Sequence, residues 1–167
     1  MKIGIIGLTN FDYFYSFYMQ PVLVTELQDY AVSAAKKLRP QVDVLILLSH
    51  NDFAVNKQLA RSVPGIDAVI SGHSHEKMTH AELIDNANRL VPVVETGNSA
   101  RFLGDLRLKV FPADKKVEFA GYELRPVTPD LPENPKIKAA VDLEYQRLNV
   151  KYGRDVNAVI AHSDLSI

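Results

Sequence analysis

Three short, near-continuous apolar runs set the architecture of this chain: Lys2–Leu8, Val42–Leu48 and Asp67–Ser71. Runs of this kind, without polar alternation, suit inner strands covered on both faces. Between the first two, Leu27, Tyr30, Ala31, Ala34, Ala35 and Leu38 recur at helical spacing, and Pro40 ends that helix. Between the second and third, Asn51 or Asp52 can cap a short helix reaching Ser62, after which Pro64-Gly65 turns the chain. Alternating strands and helices imply a largely parallel sheet with right-handed crossovers. The pattern then changes. Ala81–Ile84 and Leu90–Glu95 flank one turn-forming stretch, and Gly104–Phe111 and Lys116–Leu124 flank another, which predicts antiparallel hairpins. The expected fold class is α/β, a parallel βαβαβ unit followed by antiparallel hairpins.

A chain of 167 residues makes one domain or part of one. Residues 11–18 crowd aromatics with no regular period and are expected to need a packing partner. A Pro-rich stretch, 126–135, leads into a helix with Ile137, Val141, Leu148 and Tyr152 on one face and Gly153 as its stop. Asn157–Ala161 reads as a strand. The expected division is 1–125 for the main domain and 126–167 for a linker helix and the start of another domain. Hydrophobic residues at 47% and charged ones at 23% exclude disordered, collagen-like and coiled-coil readings.

Nineteen basic against twenty acidic residues leave a net charge of −1, so no nucleic acid polymer is expected as a partner. No apolar run reaches the roughly 18 residues that cross a bilayer, so no membrane is expected, and no signal-peptide pattern opens the chain. The absence of cysteine excludes disulfides, thiolate metal sites and cysteine nucleophiles. Metal or acid–base chemistry is left to five histidines and the carboxylates.

Three of those histidines fall at strand ends. His50 follows one buried run, and His73 and His75 follow the next, in Gly72-His73-Ser74-His75. Consecutive strands of a parallel crossover unit are often neighbours, and ligands collect outside their carboxyl ends. The three imidazoles are therefore expected to converge, with the His-x-His segment extended and both rings turned to one cavity. Neutral imidazole suits zinc, manganese, iron or nickel better than it suits calcium or magnesium. Asn51, Asp52, Gly72 and Ser74 are the expected supporting residues. The alternative from spacing alone is a set of surface or hydrogen-bonded histidines. His80 and His162 have no such context and are read as structural or solvated. Gly4–Thr9 fits neither the dinucleotide fingerprint nor the Walker pattern.

The segments Lys2–Thr9, Leu48-Ser49-His50, Gly65–His75, Glu95-Thr96-Gly97 and Phe102–Leu108 together resemble the calcineurin-like metallophosphatases, most closely the 5′-nucleotidase branch. The resemblance covers about residues 1–125, and the remainder is similar to the segment joining that domain to a nucleotide-recognition domain. It implies a four-layer αββα sandwich of which this chain is half. It also implies a metal-dependent phosphoester or nucleotide hydrolase with two divalent ions, His50 and His73 on one and His75 on the other. An Asp-x-His, a metal-bridging Gly-Asp and a Gly-Asn-His motif belong ahead of the first strand in that pattern, and no Asp-x-His occurs in the 167 residues. The expectation is an incomplete catalytic domain, inactive or weakly active by itself. The rival expectation is a non-catalytic half-domain serving as scaffold or subunit, self-associated or completed by an N-terminal half on another chain. The resemblance further implies a periplasmic or extracellular setting.

Overall fold

A computed structural model describes residues 1–9 and 27–162, so the aromatic run 11–18 lies outside the described residues. The fold is mixed α/β, a largely parallel sheet followed by an antiparallel hairpin sheet. The chain divides into two compact units, Met1–Thr128 and Pro129–Ile167.

In the first unit, β1 (Ile3–Thr9), β2 (Val44–Asn51) and β3 (Ala68–His73) pair in parallel, followed by β5 (Arg89–Val94) and β4 (Glu82–Asn86), giving the order β1-β2-β3-β5-β4. In this sheet, among the described residues, only β4 runs antiparallel, against β5. Two helices make the crossovers, α1 (Leu27–Leu38) and α2 (Phe53–Ser62). Lys36 and Lys37 in the last turn of α1 complement its dipole. Both helices pack against one face of the sheet. Ala31 and Ala35 of α1 and Leu59 and Ala60 of α2 join Ile6, Leu8, Leu45, Leu47, Val69, Val91 and Val93 in one core. Burial of each large aliphatic chain there contributes about 1.5–3 kcal/mol.

Strand β1 departs from the sequence expectation. It is an edge strand, and its burial alternates: Ile6 and Leu8 face the helices, whereas Ile3 and Ile5 are exposed. Leu48 and Ile70 continue that open face. Among the described residues the apolar run is therefore covered on one side only. A strand covered on one face needs apolar residues only at alternate positions, so Ile3 and Ile5 are more apolar than the burial seen among the described residues requires.

At the amino end of β3 the sheet is pinned by Asp67, 4% exposed. Its carboxylate accepts from the Leu45 N–H at 2.8 Å and from Arg39 Nη1 at 2.6 Å, and it also pairs with Arg89. Asn86 ties the β4–β5 hairpin to the end of α2 by donating to the carbonyls of Ala60 and Val63, 2.8 Å each.

Strands β6 (Phe102–Phe111) and β7 (Lys116–Pro126) form a separate antiparallel ribbon with an irregularity between Arg107 and Leu108. On its surface Arg107 donates to Asp105 and holds that carboxyl below its ordinary range, with Arg125 adding to the effect. In the second unit, α3 (Pro135–Tyr152) is capped by Asn134, whose side chain accepts from the N–H groups of Lys136 and Ile137, and ends at Gly153 with φ +62°. Residues 157–161 form no strand. The N–H groups of Asn157 and Ala158 instead donate to Asp155, at 2.9 and 3.2 Å, and the segment is exposed. No helix among the described residues is long and apolar enough to cross a membrane.

Candidate metal centre

Strand register decides which residues reach the carboxyl end of the sheet. Thr9 pairs with His50, His50 with Gly72, and Asn51 with His73. By alternation His50 belongs to the open face, with Leu48, while Ser49 and Asn51 face the helices and are buried. His73 would fall on the helix side by the same rule. Its φ of +93° breaks the alternation and brings its ring to His50. The two ring centroids are 5.0 Å apart, edge to face at 70°. His73 Nδ1 lies 3.4 Å from His50 Nε2.

Gly72 makes this approach feasible. A Cβ built there would stand 3.3 Å from His50 Nδ1, tighter than side chains ordinarily pack. Asp52 Oδ1 lies 3.6 Å from the other His73 nitrogen, Nε2. That distance is long for a hydrogen bond, so the carboxylate acts on the His73 ring by its charge alone. Asn51 supports from beneath, its Nδ2 donating to Ser49 Oγ at 2.8 Å. Ser74 Oγ is buried and has no hydrogen-bond partner among the described residues.

His75 does not join the pair. Its backbone is also left-handed, at φ +59°, and its Nδ1 lies 3.5 Å from Asn98 Nδ2. The His-x-His segment thus leaves β3 at His73 and bends at Ser74 between two residues of positive φ, whereas the sequence reading expects an extended loop. Among the described residues no three His, Cys, Asp or Glu groups are gathered so that they could hold a metal ion. The donor chemistry of the pair itself fits one. Two imidazole nitrogens on one tetrahedral ion, each bound at about 2.0–2.1 Å, stand roughly 3.3–3.4 Å apart. The observed 3.4 Å is that span, and it is longer than a well-formed hydrogen bond of about 3.0 Å. Beside the pair, an open concavity of about 500 Å³ is lined by Gly7, Thr9, Leu48, Ser49, His50 and Gly72 among others.

Beneath the histidines lies a buried polar network that strand-end spacing does not single out. Ser49 Oγ donates to Asn56 Oδ1 (2.6 Å), Asn56 Nδ2 donates to Ser71 Oγ (2.8 Å), and Ser71 Oγ donates to Glu95 Oε2 (2.7 Å). The signal for it is a carboxylate placed directly after the apolar run Leu90–Val94.

No protein-family model matches the chain. A snake venom 5′-nucleotidase from Macrovipera lebetinus is 24% identical over 184 residues, covering 96% of this chain and 43% of that protein. The 5′-nucleotidase of Bos taurus is 26% identical over 151 residues, covering 76% and 26% respectively. Among solved structures, a 5′-nucleotidase precursor from Thermus thermophilus superposes with a TM-score of 0.65 at 23% identity, over 75% of this chain and 28% of that one. The sulfate thiohydrolase of the same organism superposes at 0.69 and 18% identity, over 87% and 27%. The chain spans less than half the length of the curated relatives it matches.

Proposed function

For a chain whose relatives are 5′-nucleotidases and related nucleotide phosphoesterases, we propose a role as the metal-holding portion of a phosphoester hydrolase acting on nucleotides. The observation that carries this reading is the His50–His73 pair, 3.4 Å between ring nitrogens at the carboxyl ends of β2 and β3. His50 Nε2 and His73 Nδ1 would hold a zinc, manganese, iron or nickel ion. Asp52 places a negative charge 3.6 Å from His73 Nε2, and Gly72 admits the His50 ring. His75, beside Asn98, is assigned to a second ion. A divalent cation held there supplies positive charge to a phosphoester oxygen. The open concavity beside His50 gives a phosphate room to approach. With two imidazoles and no carboxylate drawn in among the described residues, the isolated chain binds its cation weakly and turns over little. A snake venom relative favours an exported setting.

Equilibrium dialysis against zinc, manganese and nickel, with p-nitrophenyl phosphate turnover measured alongside, tests the reading. One ion per chain is expected at the pair, with uptake reduced at least ten-fold by His50→Ala or His73→Ala and turnover far below that of a complete hydrolase. Uptake unchanged by both substitutions would sink it.

A second reading is favoured by the open face of Ile3, Ile5, Leu48 and Ile70. In it the chain is a non-catalytic subunit, and another chain or a second copy covers that face. Metal-free protein that remains unaffected by His73→Ala, yet sediments as a dimer or complex, would support this one instead.

A further inference from the structure

Glu95 directly follows β5 and is 1% exposed. Among the described residues no Lys, Arg or His forms an ion pair with it, so a carboxylate is buried on hydrogen bonds alone, an arrangement that is costly unless its acceptors are used. Its two oxygens are divided. Oε2 accepts from Ser71 Oγ at 2.7 Å, and Oε1 accepts from the backbone N–H of Glu76 at 3.1 Å. Between those two anchor points lie Gly72, His73, Ser74 and His75. One carboxylate therefore brackets the whole turn.

The backbone repeats the tie. Gly97 N–H donates to the Glu76 carbonyl at 2.9 Å, and Met78 N–H to the Glu95 carbonyl at 3.3 Å. On its other side Ser71 is bonded through Asn56 to Ser49, the residue before His50. Hydrogen bonds thus run from beside one histidine, under the sheet end, to the exit of the turn carrying the others. That turn holds two non-glycine residues in the left-handed region, a conformation that persists only where the surroundings over-determine it.

We propose that Glu95 is the positioning residue of the Gly-His-Ser-His turn, fixing the direction in which His73 faces His50 and thereby the affinity of the pair for a divalent cation. The second half of this statement rests on the metal-binding reading above; the first does not.

The test uses the full chain with Glu95→Gln and Ser71→Ala, each of which keeps the site histidines and breaks one side of the bracket. Asn86→Ala serves as a control, since it breaks buried bonds to α2 away from the turn. Three quantities are read: imidazole nitrogen shifts of His50, His73 and His75 in metal-free protein, zinc affinity by titration, and the thermal midpoint. Both bracket variants are expected to move the His73 and His75 signals and to weaken zinc binding about ten-fold, with the double variant little worse than either single one. Asn86→Ala is expected to lower the midpoint and leave the imidazole signals in place. Bracket variants that lower only the midpoint would overturn the proposal. If the signals move but the wild-type chain takes up no zinc, the positioning role stands and the metal reading falls.

Discussion

Position 72 is where the requirement for one particular residue is sharpest. The pair His50–His73 depends on the His50 ring lying against the β3 backbone, and a methyl group at Gly72 would sit 3.3 Å from its Nδ1. The ring must then tilt away, and the nitrogen facing His73 moves with it. Gly72→Ala is expected to weaken zinc uptake several-fold while shifting the thermal midpoint little, because Gly72 is only half-buried and its φ is not in the left-handed region. Unchanged titration curves for the variant would show that the close approach has no bearing on the site. His73 is the opposite case: a β-carbon at φ +93° is strained by about 1–3 kcal/mol, and the surrounding hydrogen bonds hold it there.

Helix starts illustrate how an element can be legible while its chemistry is not. Asp52, one of the two caps the sequence allows, stands at the N-cap of α2, yet its side chain makes no cap hydrogen bond and lies instead by His73. Asn134 at the start of α3 does cap, bonding two backbone N–H groups. Asn134→Ala should therefore cost about 1 kcal/mol of helix stability, read as lost ellipticity, whereas Asp52→Ala should leave ellipticity intact and weaken zinc binding about ten-fold. The reverse outcome would make Asp52 an ordinary cap. The same distinction runs through the rest of the chain. Helices α1 and α2, the parallel order of β1, β2 and β3 and both hairpins are legible because apolar period and turn residues act locally. Which face of β1 is open, the failure of 157–161 to form a strand and the turn of His75 towards Asn98 are not, since each depends on a partner distant in sequence or on a positive φ that no period encodes. His50 and His73 are legible as neighbours; Glu95 shows only as a carboxylate closing an apolar run, and Asn56 carries no spacing signal, because its role depends on partners on β2 and β3.

Across the whole molecule, the sheet separates a packed side from an open one, and adjacent positions on β2 report the difference. Leu47 is fully buried among the helices, and Leu48 is 51% exposed. Leu47→Ala is expected to cost about 2–5 kcal/mol, and Leu48→Ser well under 1 kcal/mol while reducing binding of an apolar dye, both followed by chemical denaturation. Equal costs would mean that the open face is covered in solution. The alternation that places His50 outward and Ser49 and Asn51 inward is itself anchored at the opposite end of the strand, where Asp67 grips the Leu45 N–H and two arginines. A slip of one residue there would exchange the faces of every β2 side chain, hiding the imidazole and presenting a hydroxyl in its stead. The identity of the group offered to a ligand is thus decided several residues away, by an ion cluster that never meets it.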